Sequence, residues 1–63
     1  MIIGIDNGIS GALAAISRHN GAIVSMCPMP IMRARKGNEI DVKTVYAWFQ
    51  STAHNLGDVT FVI

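Results

Sequence analysis

A chain of 63 residues forms at most one small unit, yet 51% of its residues are hydrophobic and its mean hydropathy is +0.40. Units this short struggle to bury enough apolar surface to stand alone, so the composition suits a piece of a larger core. The net charge of +1 excludes a global basic field, the lone Cys27 excludes an internal disulfide or a thiol pair for a metal, and no signal peptide or membrane-length apolar run is present. A reducing, cytoplasmic setting is the default expectation.

Ile2, Ile3 and Ile5 are β-branched and predict a short buried first strand, which Asp6 interrupts just before the turn-forming pair Asn7-Gly8. A second strand is expected over 11–17, turn chemistry in Arg18, His19, Asn20 and Gly21, and a third strand over 22–27 with Cys27 as a small buried hydrophobe. These links are short enough for hairpins, so the three strands should form an antiparallel meander. Pro28 and Pro30 should end the third strand, since neither can donate to a ladder. Residues 31–39 read as a mobile loop carrying Arg33, Arg35 and Lys36.

A helix is predicted over 42–54, with Asp41 as N-cap and Ile40 and Val45 as a hydrophobic staple across it. Val42, Val45, Tyr46, Phe49, Ala53 and Leu56 recur at helical spacing and predict its apolar stripe, with Trp48 to one side. Gly57 suits the position just past the C-cap, and 59–63 form a strong strand pattern that stops without a turn or polar tail. The order expected is β-β-β-α-β, and the helix crossover makes the last strand parallel to, and beside, the first. The abrupt ending predicts an N-terminal fragment of a longer domain, with edges and an apolar face through which it self-associates.

Asp6 is the residue with the most chemistry. An ionised carboxylate leaving an apolar strand is costly unless it is compensated, and a bound cation or a turn amide would each serve. Arg33, Arg35 and Lys36 are candidate phosphate contacts, with a solvated loop as the alternative. Asp41 has a sufficient role as a cap. Ser10 has no His–Asp partnership in view, His19 and His54 have no companions for a metal or nucleophile site, and Tyr46 and Phe49 read as core.

Three antiparallel strands, a helix and a parallel strand, with an acid on the first strand, resemble the opening of the ribonuclease H-like fold, an α/β class with a mixed sheet. Within it, the chain resembles the RuvC-like Holliday-junction resolvases of the small bacterial and phage type. The matching residues are Ile3-Gly4-Ile5-Asp6, Gly8, Ser10-Gly11-Ala12-Leu13, Met29-Pro30 and Asp41, in order along nearly the whole chain. Asn7 stands where the family commonly has Pro, a change the turn tolerates. The resemblance implies a metal-dependent endodeoxyribonuclease, acting on branched DNA as a homodimer, with Asp6 as catalytic metal ligand. It implies Mg²⁺ or Mn²⁺ as the ion, since a pair of divalent cations bound to carboxylates stabilises both the attacking water and the leaving oxygen of a phosphodiester. The family's second acid, a Glu at the end of the strand that 59–63 resemble, and its later acids are not in this sequence, so the segment by itself should be inactive.

The rival expectation is the sugar-kinase, actin and heat-shock ATPase superfamily, which shares the same core and wraps ATP phosphates after a similar Asp-x-Gly turn. Here Ile9 replaces the hydroxyl residue that would bond a phosphate, and no Lys or Arg occurs before Arg18. A non-catalytic scaffold with the same fold is a third expectation.

Overall fold

The computed structural model describes residues 1–53 and 56–63. Its elements are β1 (Ile2–Asp6), β2 (Ala12–Ile16), β3 (Ile23–Pro28), β4 (Ile31–Ala34), β5 (Gly37–Ile40), α1 (Val42–Thr52), a one-turn 3₁₀ helix (Leu56–Asp58) and β6 (Thr60–Val62). Four strands form one mixed sheet in the order β3-β2-β1-β6, with β1–β2 and β2–β3 antiparallel and β6 parallel to β1. The meander and the parallel return of the last strand therefore follow the sequence expectation. Ile3 lies opposite Phe61 and Gly4 opposite Val62, which sets β1 between β2 and β6.

The core lies on one side of this sheet. Register and pleat alternation set Ile3 and Ile5 on a common face with Leu13 and Ala15 of β2 and Phe61 of β6. Ile3, Leu13 and Ala15 are fully buried there, and burying an Ile or Leu side chain stabilises by about 1.5–3 kcal/mol. Between Ala15 and Ile16 the β2–β3 register shifts, and Val24 is the extra residue of the resulting bulge. Cys27 is only half-buried, because β3 is an edge strand.

Residues 31–39 correct the loop expectation. They belong to an antiparallel hairpin, β4–β5, which forms its own two-stranded sheet with Ile31 opposite Ile40 and Arg33 opposite Asn38. Arg35 and Lys36 keep negative φ, which excludes the usual two-residue hairpin turns, and Gly37 supplies a φ of +120°. The Asp41 amide donates to the Pro30 carbonyl at 2.9 Å, closing the base of the hairpin where the helix begins.

Asp41 caps α1 as its sequence implies. Its carboxylate accepts from the Thr44 amide at 3.2 Å and the Thr44 hydroxyl at 2.8 Å. Those bonds, the hydroxyl foremost, hold its pKa below the ordinary Asp value. Ile40 and Val45, the expected staple, are both half-buried. The helix ends at Thr52, earlier than expected, with the extended Ala53 as C-cap and its amide bonded to the Phe49 carbonyl at 2.9 Å. Gly57 falls in the 3₁₀ turn rather than capping α1. His54 and the side chain of Leu56 lie outside the described residues.

The inward stripe of α1 is rotated from the one expected. Val42 is 71% exposed and Tyr46 is exposed, which corrects the assignment of both to the core. Val45, Trp48, Phe49 and Thr52 are half-buried instead, and Ala53 is buried. Aromatic packing accounts for the rotation: Phe49 meets Phe61 edge to face at 5.2 Å between centroids, and Trp48 meets Phe49 at 5.9 Å. Trp48 thus joins the packed side of the helix. Among the described residues, no helix is long and apolar enough to cross a membrane.

Candidate active site

Asp6 is the last residue of β1, at the C-terminal end of a central strand, opposite Ala12. The sharp return that follows it depends on glycine at two places. Gly8 has a φ of +129°, and the Gly11 amide donates to the Gly8 carbonyl at 3.1 Å. A Cβ on Gly11 would fall 1.8 Å from the Asp6 carbonyl oxygen, so only glycine lets the turn close so tightly against the end of β1.

The Asp6 side chain is exposed, and no donor among the described residues hydrogen-bonds or ion-pairs with its carboxylate. Both parts of this finding bear on the two compensations expected from sequence. Exposure to water removes most of the desolvation cost, so the charge needs no internal partner. The turn-capping alternative, in which a turn amide holds the carboxylate, is not realised. Two acids at this end of the sheet therefore differ in kind. Asp41 spends its oxygens on Thr44, whereas the oxygens of Asp6 are open to a ligand.

Register also shows what lies alongside Asp6. Asp6 pairs with Ala12 and Ala12 with Pro28, so the three form one row across β1, β2 and β3, roughly 10 Å in span. The Met29 amide donates to the Gly11 carbonyl at 2.9 Å and extends this edge towards the hairpin. The β4–β5 hairpin starts three residues beyond Pro28, so its base and Asp6 belong to the same end of the sheet. Arg33 lies on β4, and Arg35 and Lys36 form the hairpin tip; all three are exposed. Asn38, which the sequence reading did not select, lies opposite Arg33 and is exposed.

Among the described residues, no group of three or more His, Cys, Asp or Glu side chains is placed to hold a metal ion. Asp6 thus stands as a single hard oxygen donor of the type Mg²⁺ and Mn²⁺ prefer, fit to be one ligand of a set but not a complete site. His19 lies at the other end of β1, in the β2–β3 turn, beside a cavity of about 270 Å³ lined by Met1, Ser17, Arg18, His19 and Val24. That turn is held by the Asn20 side chain accepting from the Ala22 amide and by the Arg18 guanidinium donating to the Thr60 hydroxyl. Neither contact connects with Asp6.

No family model, curated protein or solved structure matches the chain.

Proposed function

We propose that this chain is the N-terminal part of a ribonuclease H-like, metal-dependent endonuclease of the RuvC-like type, which hydrolyses phosphodiesters in branched DNA as a homodimer. The observation that carries the reading is the state of Asp6: a carboxylate at the C-terminal end of a central strand, exposed and without an internal partner. A capping acid is held by donors, as Asp41 is. A metal ligand keeps its oxygens available.

The strand order supports the same reading. With Gly4 opposite Val62, Ile63 continues the row beside Ile5, and a residue following Ile63 in a longer parent would stand beside Asp6. The resemblance to the resolvases puts a Glu there. Mg²⁺ or Mn²⁺ ions, when bound as a pair, supply stabilisation of the attacking water and the leaving oxygen. The part played by this chain is to hold one oxygen donor, Asp6, at a fixed position, with the Gly8 and Gly11 turn fixing its backbone. The remaining acids would come from the rest of the parent, so the 63-residue segment alone should not cleave. A two-fold dimer suits a four-way junction because two related strands must be cut.

A phosphate-wrapping turn of the kinase or actin kind draws less support. The Gly11 amide is already used by the Gly8 carbonyl, and exposed Ile9 offers no hydroxyl.

The test is Mg²⁺-dependent cleavage of a four-way junction and a linear duplex by the full-length protein and its Asp6→Asn variant, with binding and melting temperature measured alongside. Asp6→Asn should abolish cleavage and leave junction binding and stability near wild type. Cleavage near wild type in that variant would overturn the role of Asp6, and equal affinity for linear duplex would replace the junction substrate with DNA in general.

A further inference from the structure

We infer that the β4–β5 hairpin is a nucleic-acid-reading ribbon, which lies in a duplex groove with Arg33 and Asn38 on the base edges and Arg35 and Lys36 on the flanking phosphates. The inference takes its nucleic-acid substrate from the proposed function but does not require Asp6 to be catalytic.

The hairpin holds three of the chain's five Lys and Arg residues and one of its four acids, so it is positive while the rest of the chain is slightly negative. No side chain among the described residues pairs with Arg33, Arg35 or Lys36, leaving all three for an external anion. The residues of the ribbon divide between its two faces. Arg33 lies directly opposite Asn38, so both side chains project from one face of the ribbon, while Met32 and its opposite number Glu39 occupy the other. Arg and Asn are the side chains best suited to paired hydrogen bonds with guanine and adenine edges. Glu39, which a polyanion would repel, is on the face turned away.

Each strand has four residues, giving a ribbon roughly 13 Å long, and a major groove about 12 Å wide and 8.5 Å deep admits a two-stranded ribbon. Arg35 and Lys36, in the turn, then fall at the groove's edge, where phosphates lie. The ribbon is rooted at the end of the sheet that carries Asp6.

The experiment measures binding of the full-length protein to labelled duplexes of varied sequence by fluorescence anisotropy across a salt series, without divalent ions. Arg35→Gln with Lys36→Gln should weaken binding to every sequence alike and lower the slope of log affinity against log salt by about 2. Arg35→Lys should keep that slope, which separates lost charge from lost folding. Arg33→Lys and Asn38→Ala should each reduce discrimination among sequences by roughly five- to hundredfold while leaving the slope nearly intact. An unchanged salt slope in the double variant overturns the ribbon, as does equal affinity for polyglutamate or anionic phosphatidylserine vesicles. The two readings fail separately: no Mg²⁺-dependent cleavage by the unmodified full-length protein, with binding lost in the hairpin variants, removes the nuclease assignment and leaves the ribbon standing, and cleavage lost in Asp6→Asn with binding unchanged in the hairpin variants does the opposite.

Discussion

The two faces of the four-stranded sheet are built differently. One carries Ile3, Leu13 and Ala15, all fully buried, with Phe61 touching Phe49 of the helix. The other carries Ile2, Gly4 and Asp6 of β1, and the row Met26, Ala14, Gly4 and Val62 crosses all four strands on it. At the ends of that row Met26 and Val62 are 62% and 54% exposed, and a Cβ added to Gly4 would meet nothing within 4 Å. The covered face holds the fold together. The open face has small residues in its middle, apolar side chains on its flanks and, at one end, a carboxylate in water. Asp6 is therefore not required by the packing that surrounds it.

The comparison is broken most severely at the turn between β1 and β2. Gly11→Ala sets a Cβ against the Asp6 carbonyl and should destabilise by at least about 3 kcal/mol, read as lost thermal unfolding cooperativity or a collapse in melting temperature. Leu13→Ala should cost about 2–5 kcal/mol because it opens a cavity on the covered face. In a unit this small, either change removes much of the total stability.

The open face should respond in solution behaviour instead. Its exposed apolar flanks and the unpaired edges of β3 and β6 are expected to drive self-association of the 63-residue chain, visible by light scattering. Met26→Lys with Val62→Lys should shift the population towards monomer without a large fall in melting temperature. A strict monomer at high concentration in the unmodified chain would contradict this.

Two smaller effects sharpen the contrast. Gly4→Ala, on the open face, should be neutral or stabilising by up to about 1 kcal/mol, since space is free and the unfolded chain loses freedom. Asp41 should give a shallow acid dependence at the helix start. Its pKa is lowered in the fold, so the cap's contribution is complete above the unfolded value near 3.8 and is lost as pH falls through the lower folded value. Helical circular dichroism should therefore decline in that acid range, and Asp41→Asn should flatten the decline.

Much of the covered face was legible in the sequence. β-branched runs, short turns and the Asp41 cap defined β1, β2, β3 and the helix start, and the crossover placed β6 beside β1. The hairpin was not legible, because β4 and β5 lack strong alternation and their turn, Arg35-Lys36-Gly37, resembles none of the two-residue hairpin pairs. Nor was the rotation of α1, because periodicity ranks Val42 and Tyr46 equally with residues that aromatic contact with Phe61 selects. For the site, the residues alone favoured a turn-capping Asp6, and the resemblance to the resolvases turned the expectation towards a metal ligand. The structure adds that no donor among the described residues holds its carboxylate.

The central claim is that Asp6 is a metal ligand rather than a turn former, and paramagnetic broadening tests it most directly. Mn²⁺ titrated into isotopically labelled full-length protein should broaden the amides of Asp6, Asn7 and Gly8 first, and Asp6→Asn should remove that broadening while leaving the rest of the spectrum in place. Broadening that begins elsewhere, or that persists around residue 6 in Asp6→Asn, would contradict the account.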